Sequence, residues 1–334
     1  MPLDKIRFFR DQCLQINENN FDEIALEIFR FQASENPVYR TWMGHLGLNS
    51  GTVTSLDEIP FLPIRFFKTH QVSTGSWLIQ KIFRSSGTTG MQTSSHAVDN
   101  IDFYHRHALN DFRRLLMDPS DVHFIAVLPS YTERSDSSLV SMAECLIQAS
   151  SSKRSGFYSP NVKTLTPILD GCRSTGKPVI LLGVTFALLQ FAREGLDLGG
   201  VHVIETGGMK GRGRELTREE LHLALRPLNP IAIWSEYGMT ELLSQAYSMN
   251  GAPFKPSNHM RVLTREINDP YQSTEYGKTG ILKIIDLANV HSCSFIETQD
   301  LGKLHADGCF EVIGRQDFSD VRGCNLLFEG ASGL

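Results

Sequence analysis

The sequence predicts an α/β layered core followed by a smaller β-rich subdomain, and three observations carry that expectation. Short apolar runs rich in β-branched residues recur at 122–128, 178–184, 201–205 and 231–235, the pattern of strands buried on both faces of a parallel sheet. Helical periodicity fills the gaps: Leu139, Met142, Ala143 and Leu146 in one segment, Phe186 to Arg193 closed by Gly195 in another. A third begins with the capping box Thr217 to Glu220 ahead of Leu221, Ala224 and Leu225. After about residue 255 the period becomes two in ILKIIDL, HSCSFIET and KLHADGCFEVIG, and Asp307-Gly308 is a hairpin signal. Strand-then-helix repetition argues for layers of helix on sheet. The chain is therefore divided into an α/β core over 1–254 and a β-rich subdomain with a tail over 255–334.

Upstream of these strands the elements follow in order. Leu3, Ile6, Phe9, Cys13 and Ile16, then Phe21, Ala25, Ile28 and Phe29, recur at helical spacing, which predicts two amphipathic helices within a helical N-terminus of residues 1–35. Asn19 and Asn20 supply the turn and an N-cap between them. The passage IPFLPIRFF (59–67) then leads to an apolar–polar alternation before the segment Arg84 to Gly90.

Composition narrows the function. With 334 residues and 41% hydrophobic content, the chain can bury a sizeable core. A net charge of −5 and no long Lys/Arg run give no footprint for nucleic acid or an anionic membrane. No signal-peptide pattern and no stretch of ~20 apolar residues are present, so a cytoplasmic protein without a membrane span is expected. The six cysteines, at 13, 145, 172, 293, 309 and 324, lack paired CxxC spacing and read as reduced thiols, most of them core residues.

Two segments carry chemistry. Ser85-Ser86-Gly87-Thr88-Thr89-Gly90 joins two glycines, which admit a ligand close to the backbone, to four hydroxyls that can donate to phosphate oxygens. It lacks the Gly-Lys-Ser/Thr ending of a Walker loop, and the plain alternative is a loop that only turns the chain. Ser235 to Glu241 (SEYGMTE) follows the apolar strand ending at Trp234, at the sheet edge where open α/β folds take ligands. There the Tyr237 ring can stack on adenine, the Thr240 hydroxyl can reach a phosphate and the Glu241 carboxylate can hold Mg²⁺. Its alternative is a turn whose Glu241 opens the next helix. His105 and His107, two residues apart on a predicted helix, point apart and are read as surface or pocket-wall residues.

Together these segments resemble the adenylate-forming superfamily of acyl-CoA synthetases, adenylation domains and luciferases, whose phosphate loop reads like SSGTTG and whose adenine and Mg²⁺ segment reads like YGMTE. Thr298-Gln299-Asp300 resembles its T-x-D, in which the Asp binds the ribose, and Gly314-Arg315-Gln316-Asp317 with Arg322-Gly323 resembles its hinge. Within the superfamily the chain resembles the LuxE-type acyl-protein synthetases. LPSYTERSDSSLVSM (128–142), Glu205-Thr206-Gly207-Gly208-Met209-Lys210, SEYGMTELLSQAYS and GRQDFSDVRGCNLL carry that resemblance, which covers about residues 60–328.

The resemblance implies an N-terminal-type adenylate-forming domain lacking the usual mobile C-terminal domain and its lysine, which leaves open the cation that assists attack; Lys210 and Arg315 are the candidates. It implies ATP and Mg²⁺ as cofactors, with Ser85, Ser86, Gly87, Thr88, Thr89, Gly90, Gly207, Gly208, Tyr237, Gly238, Thr240 and Asp300 around the nucleotide and Glu241 on the metal. A carboxylic acid, of the fatty class, would become acyl-AMP and pass its acyl group to a thiol. Cys324, after Arg322-Gly323, is the thiol best placed by sequence, and an acyl-reductase or acyl-carrier protein is the implied partner. Acid selectivity falls to apolar positions between 124 and 208. Delivery to coenzyme A with a structural Cys324, and an inactive nucleotide-binding subunit of an acyl-transfer complex, are the two competing readings. Intact loop, aromatic and carboxylate positions argue against the second.

Overall fold

A computed structural model describes residues 2–86, 92–128, 135–207 and 216–316. Among them, the helices are α1 (Pro2–Cys13), α2 (Phe21–Glu35), α3 (Pro37–His45), α4 (Phe66–Thr69), α5 (Ile101–Leu115), α6 (Ser138–Ala149), α7 (Val162–Arg173), α8 (Thr185–Glu194) and α9 (Arg218–Leu225). The first strands are β1 (Leu62–Pro63), β2 (Lys81–Arg84), β3 (Ser95–Val98), β4 (His123–Val127), β5 (Gly156–Phe157), β6 (Val179–Gly183) and β7 (Val201–Glu205). The remainder are β8 (Ala232–Tyr237), β9 (Ala246–Met249), β10 (Lys255–Pro256), β11 (Met260–Arg265), β12 (Thr279–Asp286), β13 (Phe295–Leu304) and β14 (Phe310–Arg315).

The four apolar runs become β4, β6, β7 and β8, and they lie side by side in a seven-stranded sheet ordered β10-β9-β8-β7-β6-β4-β5. From β5 to β8 every pairing is parallel, while β9 and β10 run antiparallel. β4 and β6 are buried at every position, as parallel strands between helical layers must be. The helices α6 to α9 fill the connections. Thr217 forms the expected capping box with Glu220, and Gly195 closes α8 at φ 70°, a left-handed conformation that glycine adopts without strain.

Two local expectations need correcting. β8 does not end at Trp234: β9 returns beside it and pairs Glu236 with Tyr247 and Tyr237 with Ala246, so the ladder holds the strand extended to Tyr237. Asn20 occupies the N-cap position of α2, but its side chain accepts from the Asn17 N–H and donates to the Gln15 carbonyl, closing the inter-helix turn instead of capping the helix.

A second sheet, β1-β13-β12-β11 with β14 beside β13, contains the predicted alternating strands. β13 and β14 form the hairpin signalled by Asp307-Gly308, with Gly308 at φ 82° and the Asp307 carboxylate accepting from the Cys309 N–H. The helical N-terminus packs here: Phe29, Tyr39, Phe61 and Phe295 form an aromatic cluster, each ring contributing roughly 1.5–3 kcal/mol through burial. Gln32, fully buried, donates to the carbonyls of Asn289 and Val290 and accepts from the Ser294 N–H. Replacing it with Leu keeps the volume and orphans those groups, so Gln32→Leu should lower unfolding free energy by about 2–4 kcal/mol, checked by urea denaturation.

Candidate active site

The C-terminal ends of β7 and β8 and the turn after β8 bring the predicted polar residues to one edge of the parallel sheet. The turn is not the start of a helix. Asp286, at the end of β12 and fully buried, accepts from the backbone N–H groups of Leu243 and Ser244 and from the Ser244 hydroxyl. Those N–H groups thus find their acceptor outside the segment, and the chain runs directly into β9.

Glu241 is buried in this turn. Its carbonyl accepts from Asn289 and its carboxylate hydrogen-bonds Ser94, whose backbone exchanges hydrogen bonds with Ser85. The described edges of the Ser/Thr/Gly loop are therefore joined to the Glu241 carboxylate through one residue. Burial pushes the Glu241 carboxyl up from its ordinary range, opposed by the Ser94 hydrogen bond and by the charges of Arg315 and Lys68. A carboxylate, two serine hydroxyls and the oxygens of a bound polyphosphate would make a hard, all-oxygen donor set, which fits Mg²⁺. Beside it, His96 Nδ1 donates to the Thr240 carbonyl across 2.8 Å, which fixes the tautomer of a ring that burial keeps neutral.

Tyr237 turns its ring against Phe254 and Phe310 and donates its hydroxyl to Asp300 Oδ2 at 2.8 Å, leaving 8% of the residue exposed. Asp300 faces Arg315 directly across the β13–β14 ladder, and Arg315 Nε donates to Asp300 Oδ1 at 3.2 Å. The Thr298 hydroxyl accepts from the Asp300 N–H and donates to the Leu282 carbonyl, which explains the T-x-D spacing: the threonine sets the aspartate's backbone. The Arg315 side chain is 67% exposed, so its guanidinium is both anchored and accessible.

On the neighbouring strands, Glu205 is buried and accepts from the Gly207 N–H, with Gly207 at φ 70°. Burial pushes the Glu205 carboxyl up. Burial and the Glu205 charge together push Glu236 up to about 8. A Cβ at position 238 would meet Glu236 Oε1 at 2.3 Å, so any side chain there would displace the Glu236 carboxyl.

Of the residues expected at the site, Tyr237, Gly238, Thr240, Glu241, Asp300 and Arg315 meet, with Ser85 tied in through Ser94; Ser86 is exposed beside it and Gly207 stands at the end of β7. Gly87, Thr88, Thr89, Gly90, Gly208, Lys210 and Cys324 lie outside the described residues, as do Asp317, Arg322 and Gly323. Sequence reasoning missed Ser94, His96, Glu205, Glu236 and Lys68. An acidic residue two positions before a singled-out glycine was the available signal for Glu205 and Glu236; Lys68 had none. His105 is half-buried against Ser141, whereas His107 is buried, correcting its reading as a surface or pocket-wall residue: the α5 stripe that carries it faces inward. Among the described residues, Cys13, Cys145, Cys172 and Cys293 are buried free thiols and Cys309 is partly buried, and no helix is long and apolar enough to cross a membrane.

No protein-family model and no curated protein sequence matches this chain. Solved structures do. A 2-hydroxyisobutyryl-CoA ligase crystallised with 2-HIB-AMP and CoA in its thioesterification state superposes with a TM-score of 0.63 at 14% identity, covering 90% of this chain and 69% of the ligase. MatB from Rhodopseudomonas palustris with ATP bound gives 0.51 at 17% identity over 71% of this chain and 48% of MatB. MenE, the O-succinylbenzoate coenzyme A synthetase of Bacillus subtilis, in complex with AMP gives 0.50 at 17% identity over 72% of this chain and 50% of MenE. The fold is that of the adenylate-forming enzymes; at these identities the likeness establishes the fold alone. The chain spans about half the length of MatB and MenE.

The raised Glu236 carboxyl has a consequence for stability. An acid whose folded-state pKa is raised binds a proton that the unfolded chain has already released, so stability is lost as pH rises between the two values. Glu236→Gln should therefore match wild type below about pH 4.5 and gain on it through pH 8, reaching about 2–4 kcal/mol once the strand's residual exposure is allowed for. Paired urea melts from pH 4 to pH 9 check this; a constant difference would mean Glu236 is not held protonated.

Proposed function

We propose that this chain activates a carboxylic acid with ATP, forming an acyl-adenylate, and passes the acyl group to a thiol. The observation that carries the reading is the convergence at one sheet edge of the buried Glu241 carboxylate, the Ser85–Ser94 link, and the Tyr237–Asp300–Arg315 chain. The fold shared with ligases solved with ATP, AMP and an acyl-adenylate supports it.

A free carboxylate resists acyl transfer because its leaving group would be oxide. Attack of its oxygen on the α-phosphorus, with departure of pyrophosphate, turns it into a mixed anhydride with a good leaving group. Bound Mg²⁺ would supply neutralisation of phosphate charge in that step. Glu241 and the Ser85 edge of the loop would hold the polyphosphate end; Asp300, already oriented by Tyr237 and Thr298, would accept from the ribose hydroxyls; exposed Arg315 would meet developing negative charge. Lys68, close enough to act on Glu241, joins Arg315 and Lys210 as a cation for this role. Tyr237 would present its ring to the adenine from within its aromatic cluster.

For the thiol, burial pushes Cys145 up to about 11 and Cys293 up to about 12, so neither supplies a thiolate near neutral pH. Cys324 is the proposed first acceptor, in keeping with the acyl-protein synthetase branch, with an acyl-reductase or acyl-carrier protein next. The 2-hydroxyisobutyryl-CoA ligase structure, which holds CoA, favours coenzyme A as a second candidate acceptor.

Carboxylate-dependent ATP–pyrophosphate exchange across acids of varied length tests the first half-reaction. Glu241→Gln should abolish exchange while changing the melting temperature little; exchange at the wild-type rate would remove Glu241 from the mechanism. Cys324→Ser should retain exchange yet fail to hold a labelled acyl group as a hydroxylamine-sensitive thioester, since a serine hydroxyl is scarcely ionised at neutral pH. Label mapped elsewhere would move the acceptor role to that residue, and no label on wild type would move it to an external thiol.

A further inference from the structure

His107, Asp111 and His259 form a group whose ligating atoms all lie within 4.8 Å of one another. His107 and Asp111 stand one turn apart on the inward face of α5, and His259 comes from the turn that leads into β11. His107 Nε2 is 3.4 Å from Asp111 Oδ2 and His259 Nδ1 is 3.7 Å from Asp111 Oδ1. Donors about 2 Å from a shared first-row cation stand roughly 3–3.5 Å apart, so small side-chain shifts complete the set.

The hydrogen bonds around the group fix which atoms hold protons. His259 Nε2 lies 2.7 Å from the Cys13 carbonyl, which can only accept, so Nε2 bears a hydrogen and Nδ1 is the ring atom turned toward Asp111. His259 Nδ1 and Asp111 Oδ2 are both buried without a hydrogen-bond partner, and Asp111 is 1% exposed. Lone pairs converging away from water are unfavourable unless a cation joins them. A ring N–H given to a backbone carbonyl while the other nitrogen faces inward is also the way metal-bound histidines are commonly held. The charges nearby are Arg114, bonded to Asn258, and Asp286, which accepts from Ser244; the Ser244 hydroxyl in turn meets His107 Nε2 at 2.8 Å.

We propose that His107, Asp111 and His259 bind a first-row divalent transition-metal ion, with Zn²⁺ the best match, as a clasp joining α5 to the approach of β11 and the end of α1. Two imidazole nitrogens and one carboxylate suit a borderline cation and are a poor set for Mg²⁺. Binding moves the His107 proton from Nε2 to Nδ1, and the Ser244 hydroxyl keeps its bond to Asp286. Through Ser244 and Asp286 the clasp abuts the turn that carries Glu241, but it uses none of the residues proposed to hold nucleotide, so its failure would leave that reading intact.

The test strips the full-length protein with a chelator and titrates it with Zn²⁺ and with Co²⁺, reading metal content after gel filtration, the Co²⁺ visible spectrum and the melting temperature. About one equivalent retained per chain, a Co²⁺ spectrum of nitrogen and oxygen ligation, and a melting temperature that rises with metal are expected. His259→Ala and His107→Gln should each lose the ion, and the stripped variants should melt near stripped wild type. No uptake by wild type would overturn the proposal and mean that a proton joins His259 to Asp111 instead. Uptake surviving in both variants, or a sulfur-to-cobalt charge-transfer band, would also overturn it by moving the ion elsewhere. Should the variants not fold, the wild-type metal content and spectrum still decide.

Discussion

The arrangement of the site depends on the buried Asp286 carboxylate. It comes from the last residue of β12, in the second sheet, and takes the N–H groups of Leu243 and Ser244, the Ser244 hydroxyl and the Ala288 N–H. A buried carboxylate without donors would be costly; here its donors are the very backbone groups that would otherwise begin a helix. The turn after β8 is thereby held open, Glu241 is presented beside Ser94, which is bonded to Ser85, and the two sheets are joined there. Asn289, three residues further, donates to the Glu241 carbonyl and extends the same link.

Around that link the site concentrates acidic groups whose charge is poorly compensated by the protein. Glu205, Glu236 and Glu241 are all pushed toward the protonated form, chiefly by burial. An exposed surface gains nothing from such a cluster, whereas a site that receives cations or hydrogen-bond donors recovers the cost on binding. The Tyr237–Asp300–Arg315 chain differs in kind: Asp300 is satisfied by two donors and a backbone brace, so it is preorganised instead of strained.

Much of this fold was legible in sequence because its signals are local. Periodicity gave the buried strands β4, β6, β7 and β8, and the capping box at Thr217 and the glycine at 195 marked real helix ends. Of the residues that the motifs named, Ser85, Tyr237, Glu241, Asp300 and Arg315 are brought into one neighbourhood by the structure. Thr298 could be read with Asp300 because both lie within one strand.

What the sequence by itself determined was the set of elements and the polar residues at strand ends, because those follow from backbone preference and side-chain period over a few neighbouring positions. Tertiary structure decided everything that needs two distant segments. Asp286 and Ser244 are 42 residues apart and His107 and Ser244 are 137 apart, so neither the helix-suppressing acceptor nor the inward turn of His107 has a local signature. The extension of β8 to Tyr237 likewise required its antiparallel partner β9, and the burial that pushes Glu236 up, with Glu205 from β7 beside it, came only with the assembled sheet. Charge, burial and hydrogen-bond partnership are properties of the packed surroundings, and a single strand of text does not contain them.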